Sequence, residues 1–432
     1  MDLAHKGALK SSRDLYRMMV SQLFYDGYQN EALSLARTVG EDSACPPSTR
    51  LATLVAAGLA FEKEAKAEQE SLNPALIGGI DLDFETESSC AAPQPADYET
   101  VYVTSHKSPC RAGAFNADGS LVATGSCDTS IKILDVEKMI AKSTGAGEDV
   151  SDRGNEGALH PVIRTLYDHD AEVTCLQFHP TEQILISGSD DCTVKTYDFA
   201  KPGVKRSQKT ITETYPVRCL GLHPGGDFLL VGTMHSTIRL YDIHTFQCYV
   251  GSNPRDQHEA GITDLTYNLS GSVYASASED GDIKIWDAVS SRVINTFTRA
   301  HEGNEICSIV FSKNGKYLLS SGKDSLIKLW ELSMSRCLIA YTGAGSSGKQ
   351  QFRARACFSH TEDYVLFPDE KTTSLCSWDS RNAERKNLLS LGHNSHVRYL
   401  CHSPTTASFL TCSDDYRARF WHRKPAADLS NP

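Results

Sequence analysis

Residues 276–287 read SASEDGDIKIWD, a turn of small and acidic residues that runs into alternating apolar and polar side chains. The same pattern recurs at 123–135, 187–198 and 320–331, with weaker copies at 231–242, 368–379 and 411–422. The position of its Trp is occupied in turn by Leu134, Tyr197, Tyr241, Trp286, Trp330, Trp378 and Trp421. The first gap between these positions is 63 residues and the others are 43 to 48. One unit is therefore repeated, and the polar, Gly-rich insertion at 136–160 predicts a surface loop in the first unit.

Each unit is predicted to be a four-stranded antiparallel sheet. Alternation as in residues 283–286 indicates a strand with one buried face, and Asp-Gly, Asn-Gly and Gly-Gly turns separate the strands. Seven units predict a mainly β fold, a seven-bladed β-propeller over residues 98–424 with a tail at 425–432. The seventh unit has no room for its outermost strand, so we expect residues 98–103 to complete it and close the ring.

Residues 1–70 differ in kind and predict a small all-α domain. Leu15, Met19 and Leu23 recur at helical spacing, a second helix is expected over 29–39, and a third after Ser48. Because three short helices make a marginal core alone, we expect Leu15, Met19, Leu23 and Tyr28 to face a second copy of the chain. The alternative is an intramolecular three-helix core. The Pro-, Gly- and acid-containing residues 71–97 predict a linker.

A polar constellation recurs in five units. An Asp lies six residues before the aromatic position, a Ser or Thr lies four residues before that Asp, and a His lies 22 or 23 residues before it. The sets are His106, Thr124 and Asp128; His169, Ser187 and Asp191; His258, Ser276, Asp280 and Trp286; His301, Ser320, Asp324 and Trp330; and His393, Thr411, Asp415 and Trp421. Five copies indicate a structural hydrogen-bond network in each blade, because a hydrolase needs one activated nucleophile. No catalytic residue and no enzyme activity are predicted.

The third and sixth units depart from this pattern. His235 and Thr372 stand where the Asp is expected, so we expect both blades to lack the network. Either the sequence has simply diverged there and packing alone holds these blades, or a partner shapes them.

Phosphate-loop and metal chemistry are both disfavoured. Residues 343–349 match G-x-x-x-x-G-K, but Gln350 stands where a magnesium-binding hydroxyl is required, and a strand is expected next instead of a helix. The 14 cysteines contain no C-x-x-C pair and are predicted to be reduced core thiols. No cofactor and no metal site are therefore predicted.

Charge argues against autonomous nucleic-acid binding. The net charge is −11, and residues 1–100 hold 16 acidic against 8 basic side chains. Late in the chain, Arg381, Arg417 and Arg419 form a candidate partner-binding rim for an acidic peptide, with solvated surface charge as the alternative. No apolar run is long enough for a membrane span, and the N-terminus lacks the apolar segment of a secretory signal.

Several stretches outside the repeat pattern carry a family resemblance. They include HPVIRTLYDH from residue 160, FHPTEQIL, HTEDYVLFPDE, NLLSLGH and CSDDYRARFW. The repeats resemble those of WD-repeat proteins, and these stretches are similar to the cleavage stimulation factor subunit 1 family, the fifty-kilodalton WD-repeat subunit. Residues 15–32 also resemble the lissencephaly-homology dimerisation motif. The resemblance spans nearly the whole chain.

The resemblance implies a nuclear, non-enzymatic scaffold in pre-mRNA 3′-end cleavage and polyadenylation. It implies a homodimer formed by the helical domain, docking of the propeller on the helical-repeat scaffold subunit and, through that subunit, association with the RNA-recognition subunit. The RNA polymerase II tail is a further candidate partner, whereas direct sequence-specific RNA binding and membrane binding are not expected. The alternative function is a substrate receptor of a cullin-type ubiquitin ligase, indicated by the W-D-x-R form of residues 378–381.

Overall fold

The structure is a computed structural model that describes residues 12–40, 45–58, 79–80, 82, 93–143, 160–201, 203, 205–251, 253–344 and 349–423. The chain divides into two compact units, Met1–Ile77 and Gly78–Pro432. The first unit is helical and the second is a β-propeller, as the sequence predicts.

The helical unit contains α1 (Ser12–Tyr25), α2 (Gln29–Val39) and a third helix, α3, over 50–58. Gly27 has a φ of 89° in the turn after α1, and Gly40 ends α2 with a φ of 72°. Both angles lie in the left-handed region that glycine adopts without strain. The Ser48 hydroxyl accepts the Arg50 N–H at 3.2 Å and so starts α3. The helices begin and end close to where the sequence places them.

The propeller contains seven four-stranded antiparallel sheets. The first strand in the chain is β1 (Tyr98–Ser105). Blades one to three consist of β2 (Cys110–Phe115), β3 (Leu121–Ser126), β4 (Ser130–Asp135) and β5 (Val162–Tyr167); β6 (Val173–Phe178), β7 (Ile184–Ser189), β8 (Thr193–Asp198) and β9 (Lys209–Thr212); and β10 (Val217–Leu222), β11 (Phe228–Thr233), β12 (Arg239–Asp242) and β13 (Cys248–Val250).

Blades four to six consist of β14 (Ile262–Tyr267), β15 (Val273–Ser278), β16 (Ile283–Asp287) and β17 (Val293–Phe297); β18 (Ile306–Phe311), β19 (Tyr317–Gly322), β20 (Ile327–Glu331) and β21 (Arg336–Tyr341); and β22 (Cys357–Phe358), β23 (Tyr364–Pro368), β24 (Ser374–Asp379) and β25 (Leu389–Ser390). Blade seven consists of β26 (Val397–His402), β27 (Ser408–Ser413), β28 (Arg417–Arg423) and β1.

The ring closes through β1, which pairs antiparallel with β28 from Tyr98 opposite Arg423 to Ser105 opposite Arg417. This pairing confirms the closure expected from the missing outermost strand. Apolar side chains form seven buried clusters, one in each space between neighbouring blades. The core of the propeller is therefore a ring of interfaces, and each interface depends on the blades at both of its sides.

The insertion after β4 begins with a helix, α4 (Val136–Ser143), where the sequence predicts a surface loop. The loop prediction is wrong for these eight residues. Val136 and Met139 are spaced to share a helix face, and Met139 is 1% exposed in the cluster between blades seven and one. The Asp135 carboxylate accepts the Lys138 N–H at 3.1 Å and caps the first turn. Residues 144–159 of the insertion lie outside the described residues.

The predicted linker contributes a buried residue to the propeller. Ile80 is 1% exposed and packs between blades five and six. Its N–H donates to the Glu362 carboxylate at 2.9 Å, and its carbonyl accepts from the Asn314 amide at 2.6 Å. Burial raises the pKa of Glu362 to about 7, because loss of water outweighs the hydrogen bonds from Ile80 and Lys313.

Candidate functional site

In blades four, five and seven, each predicted set forms one chain of hydrogen bonds. In blade four, Trp286 Nε1 donates to Ser276 Oγ at 2.8 Å, Ser276 Oγ lies 2.7 Å from His258 Nε2, and His258 Nδ1 lies 3.0 Å from Asp280 Oδ2. The corresponding distances are 2.8, 2.7 and 2.9 Å through Trp330, Ser320, His301 and Asp324. They are 3.1, 2.9 and 2.9 Å through Trp421, Thr411, His393 and Asp415.

Donors and acceptors follow one order along each of these chains. When Asp280 accepts the His258 Nδ1–H, Nε2 is left as the acceptor for the Ser276 hydroxyl, whose oxygen in turn accepts the indole N–H. Burial opposes ionisation of Asp280, but the hydrogen bonds from His258 and from the Asp282 and Glu259 N–H groups together outweigh it and lower the carboxyl pKa to about 2. The same balance lowers the pKa of Asp415 to about 2. Ser276 is fully buried, so its hydroxyl meets no substrate.

Blades one and two contain shortened versions. His169 lies 2.8 Å from Asp191 and 2.6 Å from Ser187, while Tyr197 takes the place of the Trp. In blade one, His106 Nε2 lies 3.0 Å from Thr124, but Nδ1 lies 2.9 Å from Ser130 Oγ and 3.6 Å from Asp128. Ser130 donates to Asp128 at 2.5 Å, so a hydroxyl mediates between the His and the Asp.

Blade three contains a different network that the sequence analysis missed. Glu213 is buried four residues before β10, the place that His occupies in blades one, two, four and seven. It accepts the Tyr241 hydroxyl at 2.6 Å and is ion-paired with Arg239. His235 stacks on Tyr215 at 5.1 Å, outside this network. Within the described residues, blade three therefore lacks the His–Asp network, as expected, and Glu213 and Tyr241 form a different one at the His and Trp positions.

Blade six lacks the predicted chain in the residues described. Pro368 occupies the hydroxyl position, so the Trp378 indole donates to the Thr342 carbonyl at 3.0 Å. Thr372 instead donates its backbone N–H to Asp369 at 2.9 Å. Within residues 378–381, Trp378 and Ser380 are buried, which removes two of the four side chains from any docking surface.

The candidate rim divides into structural and exposed positions. Arg419 Nη2 donates to the Gly392 carbonyl at 2.6 Å. Lys284 and Lys328 occupy the same repeat position and donate to the Gln257 and Ala300 carbonyls at 2.7 and 2.8 Å. This repeated contact accounts for Arg419 within the blade. Arg417 is exposed at the start of β28, and the Arg381 N–H donates to Asp379 at 2.9 Å, so a shared binding surface for the three stays a prediction.

The helical unit leaves most of its apolar side chains uncovered. Within its described residues, Val20 and Ala32 are the fully buried apolar side chains. Of the predicted dimer residues, Leu15, Met19 and Leu23 are half-buried and Tyr28 is 58% exposed. Five further apolar side chains are exposed, namely Tyr16, Tyr25, Leu33, Leu54 and Val55. An apolar face of this extent on one small unit is typical of an interface.

The phosphate-loop match, the cysteines and the possible metal clusters were also compared with the geometry of the described residues. The G-x-x-x-x-G-K match at 343–349 and the Gln350 that follows it lead to β22 and not to a helix, and residues 345–348 lie outside the described residues. All thirteen cysteines within the described ranges are free thiols. The same ranges contain no cluster of three His, Cys, Asp or Glu side chains suited to a metal ion. None of the helices described is long and apolar enough to cross a membrane.

Comparison with known proteins matches the helical segment and the repeats to two different family models. Residues 7–63 match the model of the cleavage stimulation factor subunit 1 dimerisation domain. The WD domain, G-beta repeat model matches residues 99–135, 161–198, 205–242, 252–287, 291–331 and 385–422. Strands β22 to β24 of blade six fall between the last two matches, in the blade without the polar chain.

The relatives differ in how much of the chain they cover. Cleavage stimulation factor subunit 50 of Arabidopsis thaliana is 36% identical over 424 residues, which cover 95% of both chains. Nuclear distribution protein nudF of Aspergillus flavus is 26% identical over 164 residues, 36% of each chain. The nudF protein of Aspergillus terreus is 30% identical over 150 residues, 34% of this chain and 27% of its own.

Proposed function

The chain belongs to the cleavage stimulation factor subunit 1 family, and from this premise we propose that it is a non-catalytic nuclear scaffold in pre-mRNA 3′-end cleavage and polyadenylation. The observation that carries the proposal is the similarity to a cleavage stimulation factor subunit over 95% of both chains, helical unit and propeller alike. The blade chemistry supports it, because the buried hydroxyls of the His–Asp sets are already engaged in hydrogen bonds.

The helical unit is proposed to form a homodimer. Its half-buried α1 residues Leu15, Met19 and Leu23, together with exposed Tyr28, lie within the segment that matches the dimerisation domain. Light scattering on the full chain tests this. Leu23→Asp places a charge in the apolar face and should convert the dimer to a monomer, whereas Leu388→Asp, at a 49% exposed propeller position, should leave the dimer intact. A wild-type chain that is monomeric at micromolar concentration contradicts the proposal.

The propeller is proposed to bind the helical-repeat scaffold subunit and, through it, to join the RNA-recognition subunit. The net charge of −11 supports a protein that leaves RNA reading to a partner. Two propellers on one dimer would raise the effective concentration for a scaffold with two sites. The RNA polymerase II tail is a further proposed partner, and Arg381 and Arg417 are proposed contact residues on the propeller.

Purification of the tagged full chain from nuclear extract, with mass spectrometry of stoichiometric partners, tests the assembly. Recovery of the scaffold and RNA-recognition subunits is the expected result. Recovery of a ubiquitin-ligase adaptor in their place contradicts the proposal and favours the substrate-receptor alternative. Arg381→Ala distinguishes the scaffold function from the substrate-receptor function. It should reduce the recovery of a ligase adaptor only if residues 378–381 act as a receptor motif.

A further inference from the structure

Six of the seven innermost strands carry a β-bulge at their second residue. The pairing register shifts around this residue in blades one to five and in blade seven. A bulge turns its side chain away from the regular alternation. All six bulged residues line one cavity of about 280 Å³ in the channel at the centre of the ring, namely Arg111, Thr174, Arg218, Thr263, Cys307 and Arg398. The bulges therefore direct one side chain from each of these six blades to a common space.

Blade six contributes two more arginines to this cavity, Arg353 and Arg355, from the segment before β22. The lining then holds five guanidinium groups against two carboxylates, Glu172 and Asp264. Four further carboxylates, Asp190, Glu279, Glu305 and Asp414, contact these arginines from outside the lining. The cavity therefore collects guanidinium groups whose carboxylate partners mostly lie outside its lining.

Four of the arginines are fixed by carboxylates. Asp414 accepts from Arg398 at 2.6 Å and from Arg111 at 2.9 Å, so it joins blades seven and one. Glu305 and Glu279 both accept from Arg353, Glu279 at 2.6 Å, and Asp190 lies 3.4 Å from Arg218. Of the carboxylates that hold these arginines, only Glu172 lines the cavity; the others orient the guanidinium groups from outside the lining. This arrangement reduces the entropy that a ligand must overcome on binding.

Arg355 is held differently. Within the described residues its guanidinium forms one hydrogen bond, to the Tyr399 hydroxyl at 2.7 Å, and stacks over the Tyr399 ring at 5.1 Å. No carboxylate in the described chain lies within ion-pair distance of it. The nearby Asp264 uses one oxygen for the Leu265 N–H at 3.0 Å and the other for the Ile309 N–H at 2.9 Å. Among the described residues, Arg355 therefore presents N–H donors to the cavity without a direct ion pair.

We propose that this cavity binds a small anion that carries two or more phosphate groups. Guanidinium groups match phosphate oxygens in both charge and forked geometry. The unpaired Arg355 supplies the inner contact and the oriented Arg111, Arg353 and Arg398 supply the outer ones. A cavity of about 280 Å³ lies just below the size range of drug-sized ligand pockets, which suits a compact anion.

Isothermal titration of the full chain with sodium tripolyphosphate at fixed ionic strength tests the proposal. The matched variants are Arg355→Met, which keeps the aliphatic stem, and Arg336→Met, which removes an arginine that is 63% exposed and paired with Glu331 outside the cavity. The wild type should bind tripolyphosphate. Arg355→Met should bind it at least tenfold more weakly, and Arg336→Met should bind it as tightly as the wild type. Arg355→Lys should restore part of the affinity, because it retains the charge but not the fork.

The source of the phosphate groups is distinguished by a second titration with a peptide that carries two phosphoserines. Binding of tripolyphosphate alone identifies a free anion, and binding of the peptide identifies a phosphorylated partner; either must depend on Arg355. Equal affinity of Arg355→Met and wild type for both probes, or no binding to the wild type, overturns the proposal. Circular dichroism and melting of Arg355→Met exclude loss of the fold as the cause of lost binding.

Discussion

Substitution of Asp280 by Ala should measure what one blade network contributes to stability. The His258 side chain is fully buried and donates to Asp280 at 3.0 Å, so the substitution leaves a buried N–H without an acceptor. Such a group costs about 1–3 kcal/mol. The Glu259 and Asp282 N–H groups also donate to Asp280, but they lie nearer the surface. They can bond to water after the substitution, so they add little to the loss of stability. We expect a loss of about 2 kcal/mol, which at ~2 °C per kcal/mol for a large domain lowers the Tm by about 4 °C.

The chain offers a matched control for this change. Asp227 pairs with His244 at 3.4 Å, but both side chains are about 60% exposed. Asp227→Ala should therefore change stability by less than about 0.5 kcal/mol. Differential scanning calorimetry of the two variants beside wild type gives the comparison. Equal melting of Asp280→Ala and Asp227→Ala would refute the buried-donor reasoning.

The pH dependence supplies an independent check on the same residue. The Asp280 pKa is about 2 in the folded protein against an ordinary value of 3.8. A depressed acid pKa stabilises the fold above the unfolded value, and that stabilisation is lost as the pH falls through the folded value. The Tm difference between wild type and Asp280→Ala should thus be constant from pH 5 to 8 and shrink below about pH 4.

Three further changes test other contacts. Ile80→Ala should destabilise the propeller by about 2–5 kcal/mol in urea unfolding, because Ile80 is 1% exposed, whereas Ile294→Ala, at a 60% exposed position, should have little effect. Glu362→Gln removes a carboxyl whose pKa is about 7, against an ordinary value of 4.5. Because the folded state keeps this proton to a higher pH than the unfolded state, the wild-type Tm should fall as the pH rises from 5 to 7. The Tm of the variant should not show that fall. Glu213→Ala should lower thermal stability by about 1–3 kcal/mol by leaving the Tyr241 hydroxyl without its acceptor, while Glu384→Ala, at an exposed ion pair, should not.

The ring of blades follows from the sequence because its cause is periodic. Each unit repeats the same alternation and the same turn, so errors in one copy are corrected by the others. The closure by β1 follows from a count of strands, since an unpaired sheet edge is costly at either end of the chain. The helices follow from local signals, the apolar spacing of α1 and the glycine at its end.

The blade-three network was missed because two positions changed together. A search for His and Asp finds neither at the expected places, yet Glu213 occupies the His position and Tyr241 the Trp position, and the two bond directly. Val231, in place of the hydroxyl, needs no partner. The sequence signal for this network is the pairing of a Glu at the His position with a Tyr at the Trp position, because a Tyr hydroxyl can donate to a Glu carboxylate.

The arginine cavity was missed for a geometric reason. A bulge has no sequence signature of its own here, because the bulged residues range from Cys307 to Thr174 and Arg111. Their common feature is their distance from the blade His or Glu213, five residues in five blades and six in blade five. The arginines of the sequence-predicted rim lie elsewhere, since that prediction rested on clustering along the chain, whereas the cavity collects residues from all seven blades.

The two units differ in how they obtain a core. The propeller fills every space between blades with its own apolar side chains, so its stability is a property of one chain. The helical unit fully buries Val20 and Ala32 among its described residues and exposes Tyr28 and Val55 by 58% and 51%. Burial of one such side chain contributes about 1.5–3 kcal/mol, so a second copy that covers this face supplies stability that a single unit lacks. Unfolding of the helical unit should then be linked to dissociation, and its melting temperature should rise with protein concentration while that of the propeller stays constant.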